Sequence, residues 1–152
     1  MSNNAKKLGF VFIVSFFLNL IWENIHSLMY VYYKGEEITE AVLVRASFFD
    51  ALFISLAYLL IILLPWKKIS VWLSIFLLLI LSICIEKWAL GSGRWMYNDL
   101  MPIIPILNTG LTPTLQLALL GYLSFRLAGA DEEDIFSIKM DVDENIETPP
   151  SS

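Results

Sequence analysis

At 152 residues the chain has the length of one domain, but 57% of it is hydrophobic and only 16% is charged, with a mean hydropathy of +0.67. That composition excludes an ordinary soluble domain, and the lack of any basic stripe excludes nucleic-acid binding. The formal net charge of −5 is concentrated at one end: eight of the 15 acids follow Ala130, and the rest of the chain carries 7 acids against 9 bases, a net +2.

In chain order, the first apolar span begins after Lys6-Lys7 and runs over about residues 9–32. Its basic start resembles a signal peptide, but no small-x-small cleavage site follows, so a retained helix is expected. A second span covers about 42–66 and is closed by "PWKK"; a third covers 69–90. A fourth and shortest starts near Pro113, with Leu111 and Thr112 extending it, and gives 111–128. Each approaches the roughly 20 apolar residues that cross about 30 Å of hydrocarbon. The reading is an all-α integral membrane four-helix bundle over residues 1–130. The acidic tail 131–152 lacks apolar periodicity and is expected to be a disordered cytoplasmic extension.

Between spans one and two, "KGEEITE" is a short polar connection. Between spans three and four, "GSGRWMYNDLMPIIPILNTG" (91–110) is longer and oilier. Pro102 and Pro105 discourage a continuous helix there. An apolar interfacial or re-entrant segment covering the bundle is expected. Lys6, Lys7, Lys67, Lys68 and Arg126 fall on one side, with Lys139 further along, and Lys34, Arg45, Lys87 and Arg94 on the other. That modest bias places both termini in the cytoplasm, in the cell (inner) membrane.

The polar residues inside the spans share one level. A helix entering at Gly9 has climbed about 21 Å by Glu23 and about 26 Å by His26. Asp50 lies a couple of turns into the second span from the same side, Glu86 near the end of the third, and Gln116 one turn into the fourth. Ser15, Asn19, Glu23, His26 and Tyr30 recur at spacings of four, four, three and four, which is one face of a helix. Ser47 with Asp50, Ser82 with Glu86, and Thr112 with Gln116 make matching stripes. Such stripes are expected to face one another in the outer half of the bilayer, because ionisable groups turned to lipid are costly.

Glu23, His26, Asp50 and Glu86 are the candidate catalytic groups, suited to acid–base chemistry. Asn19, Tyr30 and Gln116 would orient them, and Arg94, Trp95 and Tyr97 would meet a substrate head group. Glu23 and His26 also form an E-x-x-H pair, a spacing used by metal sites in helical bundles. With the two other carboxylates they would suit a single divalent ion, although no second histidine exists for a two-metal site. The structural alternative is a hydrogen-bonded pair that joins helices, with Asp50 or Glu86 neutralising Lys87, Arg45 or Arg94. Cys84, in an apolar run, is read as a small buried hydrophobe with no disulfide partner.

The expected function is binding or transforming a membrane lipid or isoprenoid by acid–base or metal-assisted chemistry. The competing classes are a subunit of an ion- or proton-coupled transporter and an assembly or scaffold protein, either as a homo-oligomer or in a membrane complex. A transporter needs a continuous polar path, which the oily inner ends of the spans oppose.

Overall fold

The computed structural model describes residues 3–129, apart from the side chains of Lys67 and Lys68. The tail expected over 131–152 lies outside the described residues. The described residues are mostly helical, with four α-helices among them: α1 (Asn3–His26), α2 (Glu40–Leu63), α3 (Lys67–Gly91) and α4 (Leu111–Leu127). Three stretches are long and apolar enough to cross a membrane, Asn3–Met29, Glu40–Leu63 and Ile69–Gly91. At 17 residues, α4 is shorter, about 25 Å long.

Local chemistry sets the helix ends. Leu64 is extended (φ −89°, ψ 140°), the conformation a following proline imposes, so α2 stops before Pro65. Pro113 sits in the first turn of α4, where a missing N–H costs no helical hydrogen bond. Gly110, the residue before α4, has no room for a side chain: a Cβ there would lie 2.7 Å from Met101 Sδ and 2.9 Å from Pro113 Cδ.

Two connections depart from the expected helical and irregular segments. The first helix ends at His26, and after a 3₁₀ turn (Ser27–Met29) the run Tyr30–Tyr33 forms β1. It pairs antiparallel with β2 (Trp95–Tyr97), Tyr30 opposite Tyr97 and Tyr33 opposite Trp95. The first span is therefore shorter than 9–32, because four consecutive aromatic or β-branched residues find a strand partner instead of extending the helix. Asn98 locks this arrangement, donating its backbone N–H to Met29 O (3.0 Å) and its side-chain amide to Leu28 O (2.8 Å). The oily segment beyond it folds into a second ladder, β3 (Ile103–Ile104) against β4 (Thr109–Gly110). Ile106 in its turn is 93% exposed.

The helices pack side by side, α1 against α2 and α4, and α3 against α2 and α4. The core contains Val11, Ile54, Tyr58, Leu78, Leu117 and Phe125. Small residues bring backbones close: Ser74 Oγ on α3 donates across to Ala57 O on α2 at 2.9 Å. The outward faces are apolar, with Phe10, Ile13, Phe17, Ile21 and Ile25 all exposed along α1. Cys84 also lies exposed on the outside of α3, contrary to its reading as a buried residue, because the apolar run around it has an outward face as well as an inward one.

Gly121 marks the closest approach of α4 to α3, since a Cβ there would meet Leu78 Cδ1 at 2.6 Å, and Leu78 is itself only 2% exposed. Gly121→Val should therefore destabilise the fold by about 1–3 kcal/mol, read as a lower midpoint of thermal unfolding in detergent. A wild-type midpoint would contradict this packing.

Candidate functional site

The polar stripes meet where α1 and α3 end and α2 and α4 begin. Asn19 is fully buried, and His26, Glu86 and Gln116 are each no more than 5% exposed. Glu23 and Asp50 are half-buried. Both line a cavity of about 140 Å³ with His26, Glu86 and Gln116, so the exposure they keep is to that space.

Gln116 is the joint of the cluster. Its Nε2 lies 2.6 Å from Glu23 Oε1, 3.0 Å from Asp50 Oδ2 and 3.1 Å from Asn19 Oδ1. An amide nitrogen has two hydrogens, so three acceptors consume its whole donor capacity. Asn19 is held in turn by donating to Ser15 O at 2.8 Å. Glu23 and Asp50 are also hydrogen-bonded to each other.

Glu86 is arranged differently. Trp95 Nε1 donates to its Oε1 at 3.1 Å, the Tyr97 hydroxyl donates to the same oxygen, and the Tyr30 hydroxyl is a third hydrogen-bond partner. The Tyr97 oxygen also accepts the Gly110 N–H at 2.7 Å. This residue thus joins α3, β2 and the start of α4. Two of these donors converge on a single carboxyl oxygen.

His26 Nε2 faces Thr112 Oγ1 at 2.8 Å, and Thr112 Oγ1 also lies 3.2 Å from Met101 Sδ. The single threonine proton goes either to the imidazole or to the thioether; in both cases Nε2 is engaged. Edge-on packing against Tyr30, at 4.9 Å between ring centroids, fixes the ring plane.

The cations considered as partners lie elsewhere. Arg45 Nη2 donates to the Tyr33 hydroxyl at 3.1 Å, and Arg94 stacks over Trp88 at 4.1 Å. Neither is among the residues lining the cavity, and Lys87 is exposed. Of the expected site, the structure brings Glu23, His26, Asp50, Glu86, Tyr30, Trp95 and Gln116 onto the cavity wall. Asn19 and Tyr97 hold wall residues from behind, and Arg94 acts as an aromatic-stacked surface residue. Among the described residues, no three His, Cys, Asp or Glu side chains gather as metal ligands. The donor set expected for a divalent ion is not assembled, because Glu23 is turned to Gln116 and His26 to Thr112.

Sequence reasoning did not identify Tyr32, Tyr33 and Ser82, all of which line the cavity. Tyr32 falls at the end of the 9–32 span and Tyr33 just beyond it, and neither position marks a strand that turns toward the cavity. Ser82 was visible in a stripe with Glu86. Nothing in the sequence signalled that its buried hydroxyl has no hydrogen-bond partner.

Tyr30 and Tyr97 lie outside the three membrane-length stretches. Burial raises the phenol pKa of Tyr30 well above its ordinary value, and the Glu86 charge adds to that. Burial and then the hydrogen bond to Glu86 raise that of Tyr97. Both groups therefore ionise more readily in the unfolded chain, whose phenols titrate near ~10. Their stabilising contribution is complete below that pH and is lost as pH rises through the higher folded-state values. Ultraviolet titration of the folded protein should find Tyr30 and Tyr97 among those of its six tyrosines that resist ionisation around pH ~10–11. Tyr97→Phe should remove one of them. Six phenols titrating together in folded protein would refute this placement.

The chain matches no family model, no curated protein and no solved structure, so what the site can do rests on its geometry.

Proposed function

We propose that the chain is a four-helix transmembrane bundle of the cell (inner) membrane, with both termini cytoplasmic and its cavity in the outer half of the bilayer. In this reading it binds the polar end of a membrane lipid or isoprenoid and acts on it by acid–base chemistry. The observation that carries the proposal is one cavity lined by three carboxyl groups from three helices. The apolar outward faces suit lipid, and Ile38, Val42, Ala46 and Ile85 give the same cavity an apolar wall. A polar floor with apolar walls suits an amphiphile.

The two carboxyl environments suggest a division of labour. The Glu23–Asp50 pair, whose carboxyl groups meet at Gln116 Nε2, is the candidate acid. Glu86, surrounded by Trp95, Tyr97 and Tyr30, is the candidate anion that stabilises developing positive charge or receives a proton. His26, engaged with Thr112, orients the wall beside them.

A structural role is the second reading, favoured by the Gln116 contacts that join α1, α2 and α4. Transport has less support, since apolar core residues Val11, Ile54 and Leu117 continue below Asn19 and Asp50.

Deletion of the host gene followed by complementation separates the readings. Glu23→Gln and Asp50→Asn keep acceptors for Gln116, so both variants should accumulate at the wild-type level and fail to restore the membrane lipid profile. Reduced accumulation, with the profile following protein amount, would instead support the scaffold.

A further inference from the structure

The unused hydrogen-bonding capacity of the cavity specifies the head group it accepts. Several donors on its walls are already committed. The Gln116 amide serves Asn19, Glu23 and Asp50, and Trp95, Tyr97 and Tyr30 serve Glu86. The Tyr33 hydroxyl accepts from Arg45, which lies outside the lining. Among the described residues, no lysine or arginine lines the cavity.

Three carboxyl groups face the space, and Ser82 Oγ, on a side chain only 5% exposed, has no partner. Ser55 Oγ on α2 is likewise without a partner, but Ser55 is not among the residues lining the cavity. Ser15, Ser47, Ser70 and Ser124 each donate to the carbonyl four residues earlier, whereas Ser82 lies against the cavity one turn from Glu86. A buried polar atom without a partner is uncommon and calls for one. Aromatic rings of Tyr30, Tyr33 and Trp95 complete this wall, with Tyr33 stacked on Trp95 at 6.5 Å between centroids.

Taking the amphiphile-binding reading as its base, we infer that the head group is an ammonium, with Glu86 as its counter-ion and Ser82 Oγ as a neutral acceptor. An ammonium supplies donors and positive charge and no acceptors, which complements three carboxyl groups with no cation among the lining residues. Its charge is favoured by the carboxylate and by the faces of the rings. A phosphate or carboxylate head would bring further acceptors and negative charge beside three carboxyl groups, an arrangement that selects against it.

The test uses the purified full chain in neutral detergent and native mass spectrometry. Hexadecylamine, hexadecanol and hexadecyl phosphate are offered separately at equal concentration. The wild type should retain the amine about tenfold better than the phosphate, and Glu86→Gln should cut amine retention by about tenfold. Ser82→Ala, which removes no internal hydrogen bond, should lower it several-fold and serves if Glu86→Gln does not fold. Cys84→Ser, on the outward face of the same helix, should leave it unchanged. Phosphatidylethanolamine in the same assay identifies the source. Its retention beside the amine assigns the ammonium to a phospholipid, and retention of the amine alone assigns it to a simple long-chain base. Equal or better retention of the phosphate overturns the inference. So does equal retention of alcohol and amine that neither Glu86→Gln nor Ser82→Ala alters, an outcome that leaves amphiphile binding standing. Failure of the wild type to retain any of these amphiphiles overturns both.

Discussion

Carboxyl groups buried among apolar helices need neutral donors or a shared proton, and this requirement organises the polar end of the protein. Gln116 meets it for Glu23 and Asp50 with one amide group. Each acceptor left unmade would cost about 1–3 kcal/mol, and more where the group is charged. The same bonds fix α4 relative to α1 and α2, so satisfying the charges and setting the helix positions are one event. Glu86 applies the constraint to the outer connections. Its donors come from β2 and from Tyr30 in β1, which holds the two-stranded ladder over the cavity.

Polar groups arranged in this way can be satisfied completely or leave capacity for a ligand. The cluster is satisfied at Asn19, Gln116 and Thr112 and unsatisfied at Ser82. Three carboxyl groups face the cavity, and among the described residues no lysine or arginine lines it. A purely structural knot has no need of that imbalance, or of a space of about 140 Å³ beside it. The two carboxyl environments differ, Glu23 and Asp50 meeting at the Gln116 amide and Glu86 at Trp95 and Tyr97, and the proposed acid–base reading rests on that difference.

Much of this was legible in the sequence because it depends on helical periodicity. The spacing of Ser15, Asn19, Glu23 and His26 places them on one face, and all four occur there, three of them buried and Glu23 on the cavity wall. Pro102 and Pro105 correctly signalled that the 91–110 segment is not a helix. The strand Tyr30–Tyr33 was not legible: an aromatic run after an apolar helix has the same hydropathy whether the helix continues or ends. Its partner, Trp95–Tyr97, lies on the far side of two helices in the chain. The pairing of His26 with Thr112 spans 86 positions and likewise has no local signature. The orphan hydroxyl of Ser82 depends on the rotamer and surroundings of one side chain, to which periodicity is blind.

The central claim is that the carboxyl cluster encloses a space that an amphiphile enters. It is tested most directly by placing a cysteine at Ser82 in a Cys84→Ser background and measuring its reaction with a small uncharged thiol reagent in membranes. The account predicts reaction at position 82, and slower reaction when hexadecylamine is present. A thiol that stays inert in folded protein, with a cysteine at exposed position 84 reacting normally, would show a solid core in place of a site and contradict it.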